Sequence, residues 1–548
     1  MEYQSLFIGG HWTAPAGPDT LPVVSPATLE TVGSVPVVTR ADVDAAVAAA
    51  RRAFDSGPWP ATPPEERAAL LSRVVALLDQ KAGDLAAALS AEMGAPTMAA
   101  STLNYVPARA TLDFYAGLGK SFPWSETRTG LFGTTRVSRE PVGVVAAVIA
   151  WNVPLSLAVN KLAPALLAGC SVVLKPAPLT PLAANLLADI FAEAGLPEGV
   201  LSVLPAEADA SEYLVSHPGV DKVTFTGSSA VGRKIAAIAG GQLKRCSLEL
   251  GGKSAAILLP DMDIADMPKL AFSGLMNSGQ ACVAQTRILA PRGRYEEILE
   301  ALDAAVDLFP LGLPDDPAAQ LGPLISEKQR ERVEGYIAKG KDEGARLIRG
   351  GDRPADLPGW YVRPTVFADV DSSMTIAREE IFGPVLSVLP YDTEAEAIAI
   401  ANDSDYGLAG SVWTTDIEHG ATVAAKVRTG TYAINWYAFD ACAPFAAATR
   451  PPASAARTAP RAWTPTARPN PFSCPWGADT EHARTGRAHP DDANGPPAPM
   501  VRAGHSLNSN PVQLISRDAG NSPGTPEIGL APDRQRGCTS ASGSQAAR

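Results

Sequence analysis

Cysteine is sparse in this chain. The six cysteines in 548 residues, Cys170, Cys246, Cys282, Cys442, Cys474 and Cys538, are too few and too scattered for a disulfide framework. None forms a CxxC pair with metal-ligand spacing, so a reducing, cytoplasmic setting without a metal site is expected. Positive charge is also short: 46 Lys+Arg against 58 Asp+Glu leave a net charge of −12. Such a surface repels phosphate backbones and anionic lipid, which points away from nucleic acid and membrane and toward a small-molecule partner. Met1 to Pro15 holds no basic stretch followed by an apolar run, so no signal peptide is expected. Long apolar runs are lacking too, with one suspect between Glu140 and Lys161, where 20 residues carry no charge. Asn152, Pro154 and Asn160 interrupt it, and what is left, Val142 to Ile149, reads as a strand buried on both faces.

What is present is an alternation. Helical spacing runs through Ala41 to Phe54, Pro64 to Leu89 and Leu182 to Ala194. Short aliphatic runs recur at Val142 to Ile149, Ser171 to Leu174, Val220 to Phe225, Ala255 to Leu258 and Val385 to Leu389. Helices alternating with such runs predict an α/β protein with mostly parallel sheets. At ~150 residues per domain the length allows two to four domains. Composition then changes abruptly after Phe445. The last 103 residues, 446–548, hold 15 prolines and no lysine, and a periodic apolar pattern is almost lost. This tail is expected to be disordered.

Five local constellations carry the chemistry. Asn277-Ser278-Gly279-Gln280-Ala281-Cys282 ends a small-residue stretch in a cysteine, which by itself reads as inert core. Leu248-Glu249-Leu250-Gly251-Gly252-Lys253 sets a carboxylate among apolar residues, where burial would raise its pKa and suit it to general-base work, or else leaves a surface glutamate at a strand end. Trp151-Asn152-Val153-Pro154 offers an amide able to donate to an oxyanion, or merely an Asx-type cap. Leu174-Lys175-Pro176-Ala177-Pro178 places a lysine at a strand end, within reach of ribose hydroxyls or phosphate. Phe225-Thr226-Gly227-Ser228-Ser229-Ala230-Val231-Gly232 runs from strand through glycine into helix, freeing N–H groups for a pyrophosphate, although GxGxxG is absent.

Together, and in this order, these strings resemble the aldehyde dehydrogenase superfamily from about Phe7 to Phe445. The resemblance extends to Glu379-Glu380-Ile381-Phe382-Gly383-Pro384-Val385, Gly322-Pro323-Leu324-Ile325, Asn402-Asp403-Ser404-Asp405-Tyr406-Gly407-Leu408 and Ile434-Asn435. It implies two Rossmann-type parallel-sheet domains: a dinucleotide-binding domain over 1–120 and 139–249, and a catalytic domain over 250–445. A small oligomerisation hairpin over 121–138 would support a homodimer or homotetramer. It further implies that Cys282 attacks an aldehyde as thiolate, that Asn152 and the Cys282 N–H stabilise the oxyanion, and that Glu249 activates water against the resulting thioester. Lys161 would relay protons. Trp151, Lys175, Gly227, Ser228, Gly232, Leu250, Glu380 and Phe382 would hold NAD, and Val153, Phe439 and Phe445 would face the substrate. Of the alternatives within this reading, a CoA-acylating enzyme conflicts with a hydrolytic base at Glu249.

Two departures from the family stand out. Many NAD-preferring members carry a glutamate just after the Lys-Pro pair, whereas Pro178-Leu179-Thr180 has no acid here, which leaves NADP possible. The second is the tail. After Pro-Phe the family continues Gly-Gly-Tyr-Lys-Xaa-Ser-Gly-Ile-Gly-Arg. Written in GC-rich codons with Ala at Xaa and read one base later, this gives Ala-Ala-Thr-Arg-Pro-Pro-Ala-Ser-Ala, which is Ala447 to Ala455. The family's later Gly-Leu-Asp-Ala-Tyr gives, in the same way, Ala-Trp-Thr-Pro-Thr, which is Ala462 to Thr466. A reading-frame shift near Phe445 is therefore expected, and with it the alternative of an inactive or poorly assembled product.

Overall fold

The computed structural model describes residues 1–437 and the two-residue strand Phe472–Ser473. Phe439 and Phe445 lie outside the described residues, as does the stretch 446–548 expected to be disordered, apart from the strand Phe472–Ser473.

Two sheets organise the chain. The first collects β1 (Leu6–Ile8), β2 (His11–Thr13), β7 (Val144–Val148), β8 (Ser171–Lys175), β9 (Leu201–Val203), β10 (Lys222–Thr226) and β11 (Arg245–Glu249), in the order β11-β10-β7-β8-β9-β1-β2. Its first five members are parallel, with β1 and β2 added antiparallel at one edge. Between β2 and β7 lie two small antiparallel pairs, β3 (Thr20–Val24) with β4 (Thr31–Pro36), and β5 (Ser125–Gly130) with β6 (Gly133–Ser138). The second sheet holds β12 (Ala255–Leu258), β13 (Arg287–Pro291), β14 (Arg346–Arg349), β15 (Thr365–Ala368), β16 (Val385–Tyr391), β17 (Ala409–Trp413), β18 (Thr431–Ile434) and β19 (Phe472–Ser473). Its order is β14-β15-β16-β13-β12-β17-β18-β19, antiparallel only at β14. The fold is thus α/β with two largely parallel sheets.

The central strands owe their state to composition. Every residue of β7 and β8 is buried, as expected where β-branched and small apolar side chains are covered by helices on both faces. Between them runs the Pro154–Ala168 helix, with proline at its first turn. Thr39 and Asp42 form a capping box that starts the Arg40–Asp55 helix. One expectation is corrected: the single helix over Pro64 to Leu89 is two, Pro64–Gln80 and Ala82–Met93. Lys81 leaves helical geometry and serves both, its N–H donating to the Leu77 carbonyl and its own carbonyl accepting from Leu85. The apolar period continues across this break, so spacing alone does not reveal it.

The hairpin of β5 and β6 is almost wholly exposed, and the tip residues Leu131 and Phe132 are 94% and 101% exposed. No helix among the described residues is long and apolar enough to cross a membrane.

Candidate active site

The residues singled out in the first sheet all sit at carboxyl ends of its parallel strands, where open α/β sheets bind ligands. Trp151 and Asn152 follow β7, Lys175 ends β8, Gly227 follows β10, and Glu249 ends β11. The Gly227 N–H donates to the Glu249 carbonyl at 3.0 Å, fixing one turn against the other. Ser228 caps the Ser229–Gly241 helix through Val231 N–H. Gly232, in its first turn, lies so close to Leu250 that a Cβ there would overlap the leucine side chain.

This end of the sheet has the features of a polyanion cradle. Thr226 Oγ1 and Ser229 Oγ are buried without a hydrogen-bond partner on either side of the Gly227–Ser228 turn. They stand at the positive end of a helix, where phosphate oxygens are favourable acceptors. Lys175 is 8% exposed, and burial alone pushes its amine down to about 8. The residues present therefore fit a dinucleotide.

The loop that leads to Cys282 is built from left-handed backbone. Asn277, Ser278 and Gly279 have φ of 53°, 55° and 71° in succession. A Cβ on Gly279 would overlap the Gly383 carbonyl, and one on Gly252 would overlap that of Cys282. Both positions therefore require glycine, the first for its φ as well. Gln280 anchors the loop to Gly322-Pro323-Leu324-Ile325. Its amide donates to the Pro323 carbonyl at 3.2 Å and accepts from Ile325 N–H at 3.0 Å, while Ser278 Oγ donates to the Gly322 carbonyl at 2.7 Å. The loop meets the other half of the chain at Asn152, whose Nδ2 donates to the Gln280 carbonyl at 3.0 Å. An amide nitrogen carries two N–H bonds, and this contact uses one.

Cys282 itself is partly exposed and packs with Phe272, Met276, Val283, Trp436 and Tyr437 in one apolar cluster. Burial of the thiol, reinforced by the Glu380 carboxylate, pushes its pKa up to about 12, against the pull of the backbone N–H groups of Cys282 and Val283. Glu380 accepts from Gly252 N–H at 3.0 Å, and burial raises its carboxyl as well. The loop that carries it is clamped by the Glu327–Asp342 helix. Gln329 donates to the carbonyls of Ile381 and Phe382 at 3.3 and 2.8 Å, and Arg332 to those of Glu380 and Ile381 at 2.5 and 3.3 Å. Phe382, itself left-handed at φ 62°, meets Trp151 edge-on with ring centroids 5.3 Å apart. Lys161 is 2% exposed, with Nζ donating to Thr224 Oγ1 at 3.3 Å. Val153 is the N-cap of the Pro154–Ala168 helix and is half-buried.

The structure thus joins Asn152 to the Cys282 loop, Trp151 to Phe382, Leu250 to Gly232, and Glu380 to the turn beyond Glu249. Sequence reasoning missed the anchoring work of Ser278 and Gln280, the clamp made by Gln329 and Arg332, and the apolar wall of Phe272, Met276, Trp436 and Tyr437. Trp436 and Tyr437 follow directly after the matched Ile434-Asn435 pair, and that adjacency was the available signal.

Comparison with known proteins agrees with this geometry. The sequence profile of the aldehyde dehydrogenase family matches residues 12–447, ending where the composition changes. A geranial dehydrogenase of Castellaniella defragrans is 46% identical over 447 residues, which are 81% of this chain and 93% of that relative. The crystal structure of a Mycobacterium tuberculosis aldehyde dehydrogenase with NAD+ aligns at a TM-score of 0.83 and 58% identity, over 84% of this chain and 96% of the other. A Pseudomonas syringae aldehyde dehydrogenase C, with a cysteine replaced by alanine and bound to NAD+ and octanal, aligns at 0.78 and 41%, over 81% and 91%. The chain belongs to the aldehyde dehydrogenase family.

Proposed function

We propose that this NAD-dependent aldehyde dehydrogenase oxidises apolar aldehydes to carboxylic acids through a thioester on Cys282. The observation that carries the reading is the hydrogen bond from the Asn152 amide to the loop that ends in Cys282, whose side chain belongs to an apolar cluster. Once deprotonated, the Cys282 sulfur bonds to the aldehyde carbon, and the charge that develops on oxygen is met by the Asn152 amide and the Cys282 N–H. Bound NAD supplies the hydride acceptor. What then remains on Cys282 is a thioester, and Glu249 takes a proton from the water that attacks it, so that the acid leaves and the sulfur is restored. Lys161, on Thr224, relays protons.

Lys175, Gly227, Ser228, Gly232 and Leu250 hold the adenosine and pyrophosphate side of the dinucleotide, and Trp151, Glu380 and Phe382 the nicotinamide side. The missing acid at Pro178 leaves NADP a weaker second choice. Phe272, Met276, Trp436 and Tyr437, with Val153, favour an aliphatic or aromatic aldehyde, in keeping with the geranial and octanal of the relatives. The enzyme works in a reducing cytoplasm and assembles through the exposed β5–β6 hairpin.

NADH formation from octanal by the full chain, with octanoic acid recovered in equal amount, tests the reaction. Formation of octanoyl-CoA instead, or NADH formation that survives Cys282→Ala, would overturn the reading. A second reading, that the tail is a frameshift product and assembly is impaired, is favoured by the profile match ending at residue 447. Resequencing the gene around the Phe445 codon decides it: restoration of the family string in another frame supports it, and its absence from every frame refutes it.

A further inference from the structure

Asn152 and Asn277 come from parts of the chain 125 residues apart, and the side chains of both fasten those parts together. Asn277 Nδ2 donates to the backbone carbonyl of Asn152 at 2.8 Å and to that of Gln280 at 3.2 Å. The Asn152 side chain donates to the same Gln280 carbonyl at 3.0 Å. Asn277 therefore closes a ring in which the backbone of Asn152, its side chain and the loop ending in Cys282 share hydrogen bonds. Loop conformation alone does not call for this side chain. Ser278 adopts the same left-handed backbone, with φ 55° beside 53° at Asn277, and glycine would adopt it at no steric cost. Nor does anchoring of the loop, which Gln280 and Ser278 provide through Gly322, Pro323 and Ile325.

We propose that Asn277 is a positioning residue for the acylation step, setting the Asn152 amide against the Cys282 thiol without touching substrate. The inference rests on the roles given to Asn152 and Cys282 above. An amide displaced from the place where the oxyanion forms loses most of its effect, because such stabilisation depends on prior orientation. Glycine at 277 keeps the backbone and removes the fastening. Aspartate keeps the shape but turns carboxylate oxygens toward two carbonyl oxygens.

The test uses the full chain and measures the single-turnover rate of NADH formation, NAD affinity by fluorescence, and the thermal midpoint. The variants are Asn277→Gly, Asn277→Asp, Asn152→Ala and Asn152→Ala/Asn277→Gly. The expectation is a loss of about 10- to 100-fold in acylation for Asn277→Gly, and at least as much for Asn277→Asp, with NAD affinity held within about twofold. In the Asn152→Ala background, Asn277→Gly should cost less than about twofold more, since a residue acting through Asn152 has nothing left to position. Full activity in Asn277→Gly, losses that multiply in the double variant, or failure of both 277 variants to fold would overturn the inference while leaving the reaction intact. Wild-type acylation by Asn152→Ala would overturn the role of Asn152 itself, and the inference with it.

Discussion

Lys253 offers a quantitative test of how the two sheets are joined. It stands four residues beyond the end of β11 and two before β12. Its Nζ is buried with no hydrogen-bond partner, beside a small cavity that it lines with Ser254, Arg287, Tyr406 and Thr429. The Arg287 guanidinium donates to the carbonyls of Lys253, Ile400 and Ala401 and sets a second positive charge near Lys253. Burial first, and the Arg287 charge second, push the Lys253 amine down to about 7, with Glu380 and Glu379 offsetting part of this. An unfolded lysine keeps a pKa near 10.4, and each unit is worth about 1.4 kcal/mol. The unfolded chain thus holds a proton that the folded chain gives up between pH 7 and 10. Stability from this site rises as pH rises through that window, and the site costs about 4 kcal/mol at pH 7 and almost nothing near pH 10.5.

Lys253→Met keeps the length and removes the ionisable group, so it should stabilise the protein by about 2–4 kcal/mol at pH 7 after some loss of packing. The assay is thermal unfolding of both proteins at matched scan rates at pH 7, 8.5 and 10. A higher midpoint for the variant at pH 7, with a gap that closes by pH 10, is expected. Equal or lower midpoints at pH 7, or a gap independent of pH, would show that Lys253 is charged and paired, and would refute the reasoning.

Four further outcomes follow from the geometry. Gly279→Ala should fold with unchanged far-ultraviolet circular dichroism yet lose kcat/KM by about 100-fold or more, because a methyl at that φ must displace the Gly383 backbone or the nucleophile loop. Alkylation of Cys282 by iodoacetamide in cofactor-free enzyme should speed up about tenfold per pH unit from pH 7 to 10, since burial and the Glu380 charge push the thiol up to about 12 and its thiolate fraction then grows throughout. Glu380→Gln should raise that rate at fixed pH, and a plateau near pH 8 in the wild type would contradict both statements. Leu131→Ser/Phe132→Ser at the exposed hairpin tip should weaken self-association in sedimentation velocity with little change in the thermal midpoint of the subunit.

Much of the fold was legible because the informative strands are extreme. Val142 to Ile149 and Ser171 to Leu174 are aliphatic runs too short for membrane and too apolar for an edge, and they hold the strands Val144–Val148 and Ser171–Lys175, in which every residue is buried. The division at Lys81 was illegible, since a cap that serves two helices leaves the apolar period unbroken. Within the candidate site, the sequence singles out Asn152 and Cys282, and the structure ties Asn152 to the loop that ends in Cys282. It was not legible where residues act through backbone carbonyls. Asn277, Gln329 and Arg332 reach main-chain oxygens of distant segments, and nothing in local spacing announces such partners. Lys253 was equally silent: in sequence it is one more lysine after a glycine pair, and only burial without a partner marks it.

The covalent step on Cys282 is the claim on which the rest depends, and it can be observed directly. Glu249→Gln enzyme mixed with NAD and octanal, quenched in acid after one turnover and digested, should yield a peptide containing Cys282 heavier by one octanoyl group. NADH should appear in equal amount, and hydroxylamine should remove the added mass. An unmodified Cys282 peptide alongside stoichiometric NADH, or the added mass on another residue, would contradict the mechanism.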